Sequence, residues 1–238
     1  EEEGKVVEAD GLTLTPGFID LHSHSDLAVI SDPAHLAKVT QGVTLEVVGQ
    51  DGLSYVPSNE EVLHTMREQL YGWNGEPAAL KWNFHSVAEY LGEVDKGSAV
   101  NVAYLIPHGT VRMLARGNGA GLASVEELNT MKQLVEIGMQ EGAVGLSAGL
   151  TYTPAMYADD AEIIELCKIV AKYNGYYAPH HRNYGAQFLE AVDDCIEISR
   201  ASGSPLHLTH CHMSAPANHD RTELLFDRLA KAHSDGLD

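Results

Sequence analysis

Three places along the chain carry histidine with the spacing that chemistry needs: His22 with His24, His180 with His181, and His210 with His212. On an extended backbone, side chains two residues apart share a face, so the His22 and His24 imidazoles can serve one metal ion. Two polar residues in a turn give the same pattern, but this pair directly follows the apolar run Pro16-Gly17-Phe18-Ile19-Asp20. Asp51, within Gly49-Gln50-Asp51-Gly52, offers a carboxylate ligand or makes an Asp-Gly turn. His108 also ends an apolar run, where it lines a pocket or caps the segment that follows. Cys211 points away from the face of its neighbour His210 and reads as a packing residue. Imidazole with carboxylate, and thiolate at most peripheral, suits Zn²⁺ best, with Mn²⁺, Co²⁺ or Fe²⁺ as substitutes.

These residues need elements to bring them together. Short apolar runs at 17–21, 44–48, 101–106, 143–147, 175–178 and 205–209 alternate with amphipathic stretches, which predicts parallel strands covered on both faces. Helical patterns occupy 33–41, 124–140, 158–173, 187–202 and 221–233, and Ser124 with Glu127 has capping-box spacing. The interruption at 53–98 holds Trp73, Trp82 and a short helical pattern at 85–94, and reads as a lid or wall of a site. Asp10-Gly11 predicts a hairpin turn within 5–14. An open sheet and a closed barrel both satisfy this α/β rhythm. No G-x-G-x-x-G opens the first helix, and in a TIM-type barrel the polar residues at strand carboxyl ends are the catalytic positions. Curled strands bring the ends of the first, second, fifth and sixth to one mouth. The fourth ends in Ser147-Ala148-Gly149-Leu150, followed by Tyr152, small residues that let a substrate approach the backbone.

Composition removes several classes. Fifteen Lys and Arg against 34 Asp and Glu give a formal charge of −19, which repels phosphate backbones, so no nucleic acid is expected. No apolar run reaches the roughly 18 residues that cross a bilayer, and no membrane partner is expected. Three cysteines form no disulfide framework and fit a reducing, cytoplasmic location. The sequence starts without Met, which suggests a piece of a longer chain.

The run Pro16-Gly17-Phe18-Ile19-Asp20-Leu21-His22-Ser23-His24, with His at the ends of the fifth and sixth strands, resembles the metal-dependent amidohydrolase superfamily. Gly42-Val43-Thr44-Leu45-Glu46-Val47-Val48-Gly49, Gly145-Leu146-Ser147-Ala148-Gly149-Leu150, Tyr177-Ala178-Pro179-His180-His181-Arg182-Asn183 and Leu208-Thr209-His210 look like its D-aminoacylase (N-acyl-D-amino-acid deacylase) branch. The resemblance implies a TIM-like (β/α) barrel over 16–238, truncated to about six βα units, with an insertion at 53–98. It also implies a remnant of a small β-sandwich at 1–15. His22 and His24 would hold a more exposed metal, and His180 and His210 a tighter one. Asp51 stands where the branch commonly has a bridging Cys, and the fourth strand end has no Lys to be carboxylated. His212 stands near a position where the branch offers a Lys to the substrate carboxylate. With His108, Ser147, Tyr152 and Arg182 it completes the expected substrate-binding set.

The implied reaction is deacylation of an N-acyl-D-amino acid by a metal-activated water, with one or two zinc ions. An Asp at the end of an eighth strand would be the general base. That Asp is not among these residues, and Asp235 and Asp238 fall at the start of a seventh strand, on the opposite face. Two alternatives stay open: a cyclic-amide hydrolase of the dihydroorotase or hydantoinase kind, and a catalytically incomplete fragment. Six strands would leave two sheet edges open, so a companion chain segment or a homo-oligomer is expected to cover them.

Overall fold

The computed structural model describes Gly4 and residues 6–238. Residues 1–3 and Lys5, part of the expected sandwich remnant and of its hairpin, lie outside the described residues. A turn does form at Asp10-Gly11, where the Leu12 N–H donates to the Ala9 carbonyl at 3.0 Å. The described residues flanking it pair into no ladder.

From Pro16 onward, strand and helix alternate. In chain order the elements are β1 (Phe18–Asp20), α1 (Ala28–Ser31), α2 (Leu36–Val39), β2 (Val43–Val48), α3 (Glu60–Asn74), α4 (Val87–Val94), β3 (Asn101–Pro107) and α5 (His108–Arg116). They continue with α6 (Val125–Gln140), β4 (Gly145–Gly149), α7 (Asp160–Lys172), β5 (Tyr176–His180), α8 (Phe188–Ser202) and α9 (Thr222–Ser234). The five strands are all parallel, each beside its predecessor, in one curled half-barrel.

Alternate residues of each strand face opposite layers. Val48, Tyr104, Ile106, Leu146 and Tyr177 point outward into the main core against the helices. Val47, Leu105 and Ala178 point inward and form a smaller cluster with Leu45, Ala103 and Tyr176. This two-sided burial is why the strands read as nearly unbroken apolar runs. The inner face borders a cavity of about 410 Å³ lined by Leu45, Val47, Ala103, Val144 and Tyr176, and Ile19 at its rim is 57% exposed.

The segment at 205–209, expected as a sixth strand, is instead a single bridge from Leu206 to Tyr177. Tyr177 uses both its backbone groups, donating to the Pro205 carbonyl and accepting from His207 N–H, each at 2.8 Å. The next residue in a parallel ladder is Pro179, which has no N–H. Its carbonyl accepts from the Thr209 hydroxyl, so the pairing stops there. At the far end of the segment Leu206 N–H donates to the Asp238 carbonyl at 2.8 Å.

The helix expected at 33–41 is only the short turn α2, and another short turn, α1, precedes that span. The expected capping box is in place, Ser124 capping α6 with Glu127, and the structure adds a second, Ser86 capping α4 with Glu89. Within 53–98 the sequence reading missed α3, which Asn59 caps and which buries Val62, Leu63, Met66 and Leu70. Tyr104 ties this excursion to the sheet, its hydroxyl donating to the Val56 carbonyl at 2.7 Å.

Candidate metal centre

The carboxyl ends of the strands place five potential ligands together. His22 and His24 lie just past β1, and their Nε2 atoms are 3.4 Å apart. Asp51 comes from a tight turn after β2, His180 is the last residue of β5, and His210 follows the 205–209 segment. All four imidazoles converge on the Asp51 carboxylate. His210 Nε2 is 3.1 Å from Oδ2 and His24 Nε2 is 3.2 Å from it. His22 Nε2 is 3.7 Å and His180 Nδ1 3.8 Å from the same oxygen. Two ligand triads result, His22–His24–Asp51 and Asp51–His180–His210, with Asp51 common to both.

Asp51 is buried and sits at φ 55°, in the left-handed region that its short polar side chain tolerates. Ligand and turn residue, alternatives in the sequence, coincide here, because the turn aims the carboxylate. Gly49, at φ 77°, has no alternative, since a Cβ there would stand 2.1 Å from the Leu105 carbonyl oxygen. Burial opposes ionisation of Asp51, but hydrogen bonds from His180, His22 and His24 outweigh it and hold the carboxyl well below the usual carboxylate range. Burial also disfavours a charged His24, yet the hydrogen bond and charge of Asp51 raise its pKa overall. At His210 burial prevails and the pKa falls.

The donor set fits a divalent cation. Imidazole nitrogens meet one ionised carboxylate, and the Nδ1 of His22 is buried without a protein partner. Four imidazoles and a carboxylate make an N/O set of the kind zinc takes.

The remaining candidates divide. The Tyr152 hydroxyl lies 3.3 Å from His180 Nδ1, and Thr151 Oγ1 is 2.9 Å from His180 Nε2. His212 is exposed and stacks on Tyr184 at 5.2 Å between ring centroids. Arg182 is turned away, donating to the Ala158 carbonyl and to Asp160 Oδ1, each at 2.9 Å. His108 does not line a pocket. It is fully buried, with Nε2 2.7 Å from Glu162 Oε1, and Arg112 holds the other oxygen of that carboxylate. Ser147 is also fully buried and binds the backbone of the Asp51 turn. Cys211, expected to pack inside, is exposed, because the backbone past 209 leaves the strand and side chains no longer alternate.

Two contributors, Tyr184 and Asp26, escaped the sequence reading, and a third, Trp73, belongs to the excursion read there as a wall. Tyr184 touches His180 at 4.8 Å and stacks on His181 at 4.0 Å, and it is an aromatic residue just past a strand end rich in ligands. Asp26, two residues beyond His24, is buried and accepts from Gly49 N–H at 3.0 Å and from the Ser54 hydroxyl at 2.5 Å. Trp73, near the end of α3, packs on His24 at 4.4 Å, so the excursion walls this site.

Residues 5–234 match the amidohydrolase family, and the chain belongs to it. Its similarity is to the D-aminoacylase branch. An N-acyl-D-glutamate deacylase of Alcaligenes xylosoxydans xylosoxydans is 30% identical over 98% of this chain and 46% of that protein. A D-aminoacylase of the same organism is 31% identical over 91% of this chain and 44% of its own length. Among solved structures, an N-acyl-D-glutamate deacylase from Bordetella bronchiseptica, complexed with zinc and a phosphonate mimic of the tetrahedral intermediate, superposes with TM-score 0.81 at 28% identity. That match covers 94% of this chain and 46% of that one. A D-aminoacylase structure gives TM-score 0.79 at 27% identity over the same shares. The chain thus spans about half the length of the curated relatives it matches.

Proposed function

We propose that this chain supplies the metal-binding part of an amidohydrolase that deacylates N-acyl-D-amino acids. The observation that carries the reading is the convergence of His22, His24, His180 and His210 on Asp51. His22, His24 and Asp51 would hold one zinc ion, and His180, His210 and Asp51 a second. Zinc, when bound, supplies a Lewis acid for the amide carbonyl and brings the pKa of a water toward neutrality. Asp51 stays ionised across the physiological range and leaves the imidazoles oriented toward one point. Tyr152, beside His180, would donate a hydrogen bond to a substrate oxygen, and His212, exposed on Tyr184, would meet the substrate carboxylate. Trp73 offers an apolar wall next to His24.

The general base that the family resemblance places on an eighth strand belongs to none of the described strands. The half-barrel's apolar inner face and exposed β1 favour a companion chain segment or a second copy beside them. The partition into a sandwich remnant at 1–15 and a barrel at 16–238 belongs to the same reading. Three free thiols favour a cytoplasmic setting, and no helix of the described residues is long and apolar enough to cross a membrane.

The test is hydrolysis of N-acetyl-D-amino acids and their L-enantiomers by the zinc-loaded protein that carries this sequence. D-selective release of the amine, abolished by His180→Ala, is expected. Turnover of hydantoin or dihydroorotate with no release from any N-acyl-D-amino acid would replace this reading by the cyclic-amide one.

A further inference from the structure

Asp51 faces the four imidazoles from a turn that ordinary backbone preferences do not favour. Left-handed conformations at Gly49 (φ 77°), Asp51 (φ 55°) and Gly52 (φ 67°) fold the chain back on itself within four residues. Asp enters that region more readily than most residues but is not confined to it, so something must hold the turn. One hydroxyl closes it. Ser147 Oγ on β4 donates to the Gly49 carbonyl at 2.5 Å and accepts from Gly52 N–H at 3.0 Å, joining the two ends of the turn. Outside this pair, Gly49 N–H donates to Asp26 Oδ1 and Gly109 N–H to the Gly52 carbonyl, each at 3.0 Å. Ser147 is 0% exposed. Its hydroxyl proton and one acceptor site are engaged with backbone, so it has no face for a substrate.

We propose that Ser147 is a positioning residue that fixes the Asp51 carboxylate at the point where the two histidine pairs meet. The inference rests on the reading of Asp51 as a metal ligand and assigns that site's preorganisation to one side chain on a neighbouring strand. A carboxylate held in advance keeps its two oxygens between the pairs. Without the hydroxyl, the turn loses its cross-link, and Asp51 must be ordered when metal binds.

The test is zinc affinity by competition with a chromophoric chelator, together with the visible absorption of the Co²⁺-substituted protein. Ser147→Ala is expected to weaken zinc binding about 10- to 100-fold, the usual effect of removing a group that orients a ligand. It should also alter the Co²⁺ spectrum while the far-ultraviolet circular dichroism stays that of wild type. In an Asp51→Asn background the same substitution should change affinity less than about twofold, because the residue it acts through is gone. Should the alanine variant fail to fold, Ser147→Cys keeps most of the volume with a much weaker donor and is expected to show the same loss. Wild-type affinity in a folded Ser147 variant, or an equal loss in both backgrounds, would overturn the inference. Absence of zinc binding by wild type would overturn the metal reading itself and the inference with it.

Discussion

Gly149→Ala probes the Asp51 turn by crowding. A Cβ added at Gly149 would lie 2.0 Å from the Asp51 carbonyl oxygen and 2.6 Å from Tyr152 Cδ2. The first contact is with backbone, so relief requires β4 and the turn to separate by roughly 1 Å or more before ordinary van der Waals distance returns. Inserting a methyl into so close a contact costs about 1–3 kcal/mol. For a domain of this size each kcal/mol lowers Tm by roughly 2–4 °C, so a fall of about 2–12 °C is expected by calorimetry. The displaced atom belongs to Asp51 itself, so zinc affinity measured by chelator competition should fall about tenfold or more in parallel. Gly92, in α4, has open space at its Cβ position. Gly92→Ala is the matched control and should stabilise by roughly 0.5–1 kcal/mol without touching zinc affinity. A Gly149→Ala protein with wild-type Tm and wild-type zinc affinity would refute the packing argument.

Other consequences follow from buried charge. Burial pushes the His181 imidazole down to about 4. Between about pH 6.5 and 4 the unfolded chain therefore binds a proton that the folded chain does not, so the stability tied to this group is complete above pH 6.5 and is lost as pH falls toward 4. The loss amounts to about 3 kcal/mol, and His181→Phe should flatten the decline in urea-unfolding free energy between pH 7 and 5. An unchanged slope would remove His181 from the account. Glu162 accepts from both His108 and Arg112 in the core. Glu162→Gln leaves the Arg112 charge buried without its counter-ion and should cost about 3–5 kcal/mol, read as a large drop in Tm. A drop of less than about 1 kcal/mol, the range of surface pairs, would show that water reaches Arg112.

How far the sequence carried this picture is best seen residue by residue. The β2 and β3 positions were legible because both faces of those strands are buried, and α6 because Ser124 and Glu127 mark its start locally. The sixth strand misled because Pro205 to Thr209 has strand composition, whereas the ladder depends on what Pro179 on the neighbour can donate, a fact about pairing and not about the segment itself. Helix α3 was hidden by Trp73, Gly72 and Gly75 near its end, which mimic loop composition although Val62, Leu63, Met66 and Leu70 form a helical stripe. Residues that end strands were found at the site, because strand ends in such a sheet share one rim. His108 and Arg182 follow strands and Ser147 lies within β4, yet their partners, Glu162, Asp160 and the Asp51 turn, lie far away in sequence and turn them from the opening. Spacing along the chain says where a side chain starts and nothing of the distant group that claims it.

The arrangement as a whole stands or falls on metal content. Zinc per chain, measured by mass spectrometry of the elements after dialysis against trace-metal buffer, should be about one to two in the wild type. It should drop in His22→Ala and in His180→Ala, and most in Asp51→Ala, because only Asp51 belongs to both triads. Wild-type protein that is folded and takes up no zinc above background, or an Asp51→Ala variant that keeps the full complement, would contradict the account.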